Sequence, residues 1–294
     1  MIEGPGPYEM VRRRFQVGDP GPGGWGGSLS EAEGEDFESV EEAFGHLLDE
    51  SLAPRGPASL FDLVAATGLS SPGTAVDVGC GSAADAVELV RRFGLHVHGV
   101  DPNPANLERA RVRLQDEHLE EEVDLHIGRA EAIPLPSQSC DLLWCKEVLT
   151  FTDLEATMAE FGRVLRPGGT GVVYQVLTGP AMGDEEAAWF FSQEMGFGPA
   201  RIVRPAVVET AIAEAGLVLR ERVDFGSEWG EAAQETDQGP GRRLVHTARL
   251  LRQPDRYISA FGEANYRIML GDCLWHVYRM IGKLWGAAFV IAHP

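Results

Sequence analysis

Long hydrophobic runs are missing from this chain; none reaches the roughly 18 residues that a membrane span needs. Positive charge is also short. Lys and Arg number 25 against 45 Asp and Glu, a formal net charge of −20 at pH 7. A field of that sign repels phosphate backbones and anionic lipid surfaces, so neither nucleic acid nor membrane is an expected partner. Cysteine is scarce. Cys80, Cys140, Cys145 and Cys273 form no C-x-x-C pair, which argues against a zinc ribbon and a disulfide framework. No cluster of His, Asp and Glu shows a persuasive metal spacing along the sequence, and no metal is expected. The N-terminus, MIEGPGPYEMVRRRF, lacks an apolar core behind its basic cluster and does not read as a signal peptide. The expectation is a cytoplasmic protein with reduced thiols. No internal repeat is visible. What is present is ordinary globular composition, 44% hydrophobic and 24% charged over 294 residues. That length suits one large domain with elaborations or two modest ones.

Three regions differ in texture. Residues 1–30 hold GPGPYE and GDPGPGGWGGS, where no long helix or strand can persist. Yet Tyr8, Phe15 and Trp25 are large apolar groups that a tail does not need. Residues 31–50 carry nine carboxylates and no Lys or Arg, with Phe37, Val40, Phe44, Leu47 and Leu48 at helical spacing. That pattern predicts an amphipathic helix with an acidic outer face, so residues 1–70 are read as a cap segment and helix. The core is read as 71–294. Strands are expected at 74–78, 95–101, 123–127, 140–145, 171–177 and 217–224, and helices at 82–93, 104–114, 153–165 and 205–215. This alternation with short connections predicts a mostly parallel sheet covered by helices. Residues 225–284 interrupt it with polar GSEWGEAAQETDQGPGRR and then helical text to Lys283, before an apolar strand at 285–291. An insertion of that length between two strands reads as a lid over a site.

The chemistry-bearing segment is Ala75-Val76-Asp77-Val78-Gly79-Cys80-Gly81-Ser82, a glycine turn between the first strand and its helix. Gly79 and Gly81 let the backbone approach a ligand, and the helix start presents unpaired N–H groups. Asp101 follows Gly81 by twenty positions at the end of the next strand, where a carboxylate can accept from a ribose diol. Dinucleotide enzymes share both features, so they do not decide the ligand. Asp77 does more. A carboxylate two residues before the first glycine suits a ligand with an ammonium group. It would sit badly beside a pyrophosphate.

Taken in order with Gly99-Val100-Asp101, Arg129-Ala130-Glu131-Ala132-Ile133-Pro134-Leu135-Pro136, Cys140-Asp141-Leu142-Leu143-Trp144 and Val164-Leu165-Arg166-Pro167-Gly168-Gly169, this segment resembles the class I S-adenosylmethionine-dependent methyltransferases over roughly residues 70–224. The resemblance implies a Rossmann-like α/β fold, a seven-stranded mostly parallel sheet whose last hairpin, 217–224 against 285–291, is antiparallel. It implies that Asp77 with the Gly79 and Gly81 backbone holds the methionine end of the donor. Asp101 would bind its ribose, with Pro102 beside the adenine and Ala130 and Glu131 bordering it. Similar sequences often carry Asp where this chain has Arg129. Since Arg accepts no hydrogen bond, Glu131 or a backbone carbonyl would take that task, or Arg129 would stack on the base.

Lys146 and Glu147 follow the strand that faces the methyl donor in this fold, as a donor or substrate contact or as a solvated helix start. Farther on, Asp272, His276, Arg279 and Lys283 share a helical face, either a solvated stripe or a catalytic one. His276 is the best placed imidazole to accept a proton, and Glu147 is the second catalytic candidate. Tyr8, Trp25, Trp229, Trp275 and Tyr278 are expected to line the acceptor site, with Glu228 beside Trp229. The activity so implied is transfer of the methyl of S-adenosylmethionine to a small molecule, a specialised metabolite first and a quinone or lipid-like acceptor second. A non-methylating use of the donor, such as cyclisation, stays open. Oligomeric state is not legible.

Overall fold

A computed structural model describes residues 45, 48–49, 51–69, 72–192 and 204–294. The chain divides into two compact units, Met1–Ala53 and Pro54–Pro294. Tyr8, Trp25 and nearly all of the acidic 31–50 segment lie outside the described residues.

The second unit is built on seven strands: β1 Thr74–Val78, β2 His96–Asp101, β3 Val123–Ile127, β4 Cys140–Lys146, β5 Leu165–Thr178, β6 Val218–Gly226 and β7 Leu284–Ala292. Their order across the sheet is β3-β2-β1-β4-β5-β7-β6. The first five are parallel, and β7 runs antiparallel between β5 and β6. This is the Rossmann-like sheet with an antiparallel last hairpin that the resemblance implies.

Buried on both faces, the central strands read as near-continuous apolar text. Side chains alternate, so Leu142 and Trp144 of β4 join one core layer while Leu143 and Cys145 join the other. The first layer includes α1 (Ser59–Ala66), α2 (Ala84–Phe93) and α3 (Pro104–Glu117). The second includes α4 (Leu154–Val164) and, farther along, the helix Pro205–Glu214. Helix starts follow local chemistry. Asn103 accepts from the Ala105 N–H ahead of α3, with Pro104 at its first position, and Asp153 accepts from the Ala156 N–H ahead of α4. Helix α1 buries Leu60, Phe61 and Val64, with Phe61 stacked on Trp144 at 4.7 Å between ring centroids. The core therefore begins before residue 71.

Three local readings change. Strand β5 starts at Leu165, not 171, because Arg166 to Gly169 loop out of it: the register jumps from Cys140↔Leu165 to Leu142↔Thr170. Arg166 Nη1 lies 2.6 Å from both Asp141 oxygens, and Asp141 Oδ2 accepts from the Thr74 N–H at 2.8 Å. The Arg-Pro-Gly-Gly segment is thus a clasp at the strand starts. Next, the polar text after 225 is helical. After α5 (Asp184–Ser192) and α6 (Pro205–Glu214) come α7 (Glu228–Asp237) and α8 (Gly239–Arg252), anchored by buried Trp229 and Leu250. Last, the helical text expected to run on to Lys283 breaks at Gly262, whose φ of 83° is left-handed, into α9 (Pro254–Phe261) and α10 (Glu263–Met280). No described helix is long and apolar enough to cross a membrane.

Candidate active site

The sheet order reverses between β1 and β4, since the chain builds β2 and β3 on one side of β1 and places β4 and β5 on the other. The carboxyl ends of these strands frame the crevice where open α/β sheets take ligands. Asp77, the glycine turn, Asp101, Lys146 and Glu147 all sit at that end.

The turn is held tightly. Gly79 and Cys80 N–H groups both donate to the Val100 carbonyl, at 2.7 and 3.1 Å. Gly79 and Gly81 have φ of 74° and 55°. A Cβ on Gly79 would lie 2.3 Å from Val148 Cγ2, whereas one on Gly81 would meet nothing within 4 Å. Gly79 thus packs against the segment after β4, and Gly81 faces open space. Asp101 is buried and accepts from the Gly81 N–H at 3.0 Å, the Asn103 N–H at 2.8 Å and Asn106 Nδ2 at 2.9 Å. A carboxylate offers about four lone-pair positions, so room for one more donor remains.

Asp77 is only 2% exposed, and its Oδ2 has no hydrogen-bond partner. Burial, followed by the nearby Asp85 carboxylate, pushes its pKa well above the ordinary value; Lys146 pulls the other way. Lys146 itself is committed elsewhere. Its Nζ lies 2.6 Å from Asp85 Oδ2, and Trp144 Nε1 donates to the same carboxylate at 3.1 Å. Lys146 therefore holds Asp85 instead of pointing a free ammonium into the crevice.

On the far side of Asp101 stands exposed Pro102, and the Gly128 N–H donates to the Asp101 carbonyl at 3.3 Å, docking the chain that follows β3. Ala130 is buried there. Glu131 Oε1 accepts from the Asp153 N–H at 3.0 Å. Burial pushes the Glu131 pKa up, but backbone N–H groups and Arg129 outweigh it and hold the carboxyl below its ordinary value. Arg129 is mostly exposed, with Nε 3.4 Å from Glu131 Oε2.

Beyond β4 and β5 lies a cavity of about 380 Å³. Its polar wall includes Glu147, Gln175, Asp272, His276 and Arg279, and its aromatic wall is Phe151, Phe191 and Trp275. The structure thus brings Glu147, His276 and Trp275, three residues singled out in the sequence, onto one cavity. Glu147 adopts a left-handed φ of 60° while its N–H donates to the Tyr174 carbonyl at 2.8 Å. A non-glycine residue held in that region stores strain, a common mark of functional sites. Gln175 Oε1 accepts from the Leu149 N–H at 2.8 Å and so fixes the turn after Glu147. His276 is half-buried. Burial first, with Arg243 and Arg279 adding to it against Asp272, pulls its pKa below 6.5, so the imidazole is neutral at neutral pH. Asp272 is paired with Arg243 Nη1 at 2.8 Å.

Three residues expected at the acceptor site are elsewhere. Trp229 stacks on Tyr174 with centroids 3.9 Å apart, and Tyr278 stacks on Phe190 at 4.9 Å while its hydroxyl donates to Glu186. Both are core residues. Glu228 binds Arg55, accepting from its Nε at 2.8 Å. Lys283 lies past the end of α10 and pairs with Glu186, so it leaves the stripe of Asp272, His276 and Arg279. Sequence reasoning missed Asp85, Gln175 and Phe191 as site residues, whereas Asp272 and Arg279 were visible in it as the helical face they share with His276. A larger cavity of about 520 Å³, among α8, α9 and α10, shares no lining residue with this one.

Residues 76–173 match a family of known proteins described as a methyltransferase domain. The matched segment, a third of the chain, holds the glycine turn, Asp101 and β4, and it is similar to the methyltransferase domain of that family. The methyltransferase GfsG of Streptomyces halstedii is 31% identical over 159 residues, 52% of this chain and 55% of that protein. The chain spans about half the length of the curated relatives it matches. Among solved structures, a geranyl diphosphate methyltransferase in complex with S-adenosylmethionine aligns with a TM-score of 0.61 at 21% identity, over 81% of this methyltransferase-like chain and 85% of that one. The 4+2 cyclase SpnF aligns with a TM-score of 0.62 at 20% identity, over 80% of each chain.

Proposed function

We propose that this chain transfers the methyl group of S-adenosylmethionine to a small organic acceptor bound in the cavity between Glu147 and His276. The observation that carries the reading is Asp77 Oδ2, a buried carboxylate oxygen with no protein partner beside a glycine turn. A buried oxygen of that kind calls for a donor from a ligand, and the α-ammonium of a methionine supplies one. The rest of the pocket fits the same molecule. Gly79 and Gly81 give backbone approach, Asp101 keeps a lone pair for a ribose hydroxyl, and Pro102, Ala130 and Glu131 border the space left for an adenine. Arg129 lies at the exposed rim of that space. Lys146 acts through Asp85, setting the field at Asp77.

Bound S-adenosylmethionine supplies an electrophilic methyl on a sulfonium. The protein positions the acceptor in line with that methyl and excludes water, which is most of what such a displacement needs. Neutral His276 accepts the proton of an acceptor hydroxyl, amine or acidic carbon. Glu147, fixed by its strained backbone and by Gln175, orients the acceptor from the other wall. A cavity of about 380 Å³ with a polar wall and an aromatic wall suits a specialised metabolite with a flat or aliphatic body and one protic group. Helices α7 to α10 act as the cover over this site. The test is calorimetric titration with S-adenosylhomocysteine, followed by turnover with methyl-labelled donor and a panel of small acceptors. Binding with release of S-adenosylhomocysteine and labelled product is expected. No binding at millimolar ligand would overturn the donor assignment, and turnover without labelled product would replace methylation by a donor-dependent rearrangement.

A further inference from the structure

The histidines of β2 and β3 take no part in the chemistry above. Strand alternation puts His96 and His98 on one face of β2. The parallel register sets Asp124 beside His98 and His126 beside Val100, so four side chains able to ligate a metal share that face. Their donor atoms converge. His96 Nε2 is 2.9 Å from Asp124 Oδ2, which is 3.6 Å from His98 Nδ1, and His98 Nδ1 is 3.1 Å from His126 Nε2. The ligand atoms of His96, His98 and Asp124 all lie within 4.8 Å of one another. A tetrahedral zinc ion with bonds of about 2.0–2.1 Å spaces its ligands about 3.3 Å apart, so these separations bracket what such an ion imposes.

Access is open. β3 is an edge strand, and the chain returns from Ile127 to Cys140 without a helix. The side chains of His98, His96 and Asp124 are 19%, 42% and 55% exposed, a gradient from a fixed inner ligand to a solvent-facing one. We propose that His96, His98 and Asp124 form a binding site for a divalent transition-metal ion of the zinc class, clamping edge strand β3 to β2, with His126 beside His98. Two imidazoles and one carboxylate favour such an ion over calcium or magnesium. All four cysteines are buried and free elsewhere, so the donor set contains no thiolate. Linear spacing hid the site: His96 and Asp124 are 28 positions apart, and only the β2–β3 register joins them.

The full chain, stripped with chelator, tests this when titrated with zinc chloride and, separately, cobalt chloride. Zinc is expected to bind one ion per chain and to raise the melting temperature, as a ligand specific to the folded state must. Cobalt is expected to give the visible absorption of a tetrahedral site without thiolate charge transfer. His98→Gln should weaken both by tenfold or more while binding S-adenosylhomocysteine normally. Should His98→Gln fail to fold, Asp124→Asn, at an exposed position, provides the same comparison. Absence of a thermal shift and of cobalt absorption up to millimolar metal would overturn the proposal. Metal binding in these variants as tight as in the wild type would do the same.

Discussion

Asp77 holds two demands in one side chain. Its raised pKa means that the folded protein keeps a proton which the unfolded chain has released. That contribution to stability is fully present below the ordinary carboxylate value of 3.8 and is lost as pH rises through the raised folded value. Asp77→Asn removes the titration and is expected to flatten the fall of melting temperature as pH rises above 3.8. It should also weaken S-adenosylhomocysteine by about 10–100-fold, the worth of a hydrogen bond to a charged group. An unchanged pH slope would show that Asp77 is ionised in the free protein. His276 has the opposite character. Its pKa lies below 6.5, so a base there is active at neutral pH and is lost as pH falls through that lowered value. His276→Ala should reduce turnover by about 10²–10⁴-fold with little change in donor affinity, and it should abolish the acid limb of the pH–rate profile. A variant that keeps that limb would remove the imidazole from the chemistry.

At the scale of elements, two glycines two positions apart, Gly79 and Gly81, separate folding from binding. An alanine at position 79 meets Val148 Cγ2 and a positive φ together, each costing roughly 1–3 kcal/mol. An alanine at position 81 meets only the positive φ, because its Cβ points into open space. Gly79→Ala is therefore expected to lose stability heavily, and Val148→Ala in the same chain to restore part of it. Gly81→Ala should fold with a loss of about 1–2 kcal/mol and yet fail to bind donor. Melting curves and S-adenosylhomocysteine titration of the three variants check this; wild-type affinity in Gly81→Ala would move the donor off that turn. The same elements show what a sequence discloses. Apolar runs closed by Gly or Pro located the strands within a few residues, except for the start of β5, and Asp77 and Asp101 were legible as carboxylates at strand ends. Direction was not. Trp229 and Tyr278 read as ligand-facing because they are aromatic, yet Tyr174 and Phe190 capture them by stacking. Lys146 read as a donor or substrate contact or as a solvated helix start, because Asp85, its partner, is 61 positions away. Only the fold reveals that Gln175 holds the turn after Glu147. Each of these depends on contacts between distant elements, for which neither period nor propensity carries a signal.

The whole molecule adds a field that no single residue supplies. The chain carries a formal charge of −20, and the side chains of Asp101 and Glu147 stand at the carboxyl ends of the strands that frame the crevice. Fields of this kind concentrate cations, and a low-dielectric cleft focuses them. S-adenosylmethionine carries one carboxylate, one ammonium and one sulfonium, for a net charge of about +1 at neutral pH, whereas S-adenosylhomocysteine has lost the sulfonium and is near neutral overall. The protein should therefore hold its donor more tightly than its spent product at low salt, which aids product release. Salt shortens the reach of the field from about 10 Å at 0.1 M to about 3 Å at 1 M, leaving the direct contacts to Asp77 and Asp101 in place. Affinity for S-adenosylmethionine is expected to fall several-fold over that range, while affinity for S-adenosylhomocysteine changes little. Calorimetric titrations of both ligands at a series of salt concentrations measure the two slopes. Parallel slopes would mean that the field does not reach the sulfonium, and discrimination between donor and product would then rest on the aromatic and polar walls of the cavity alone.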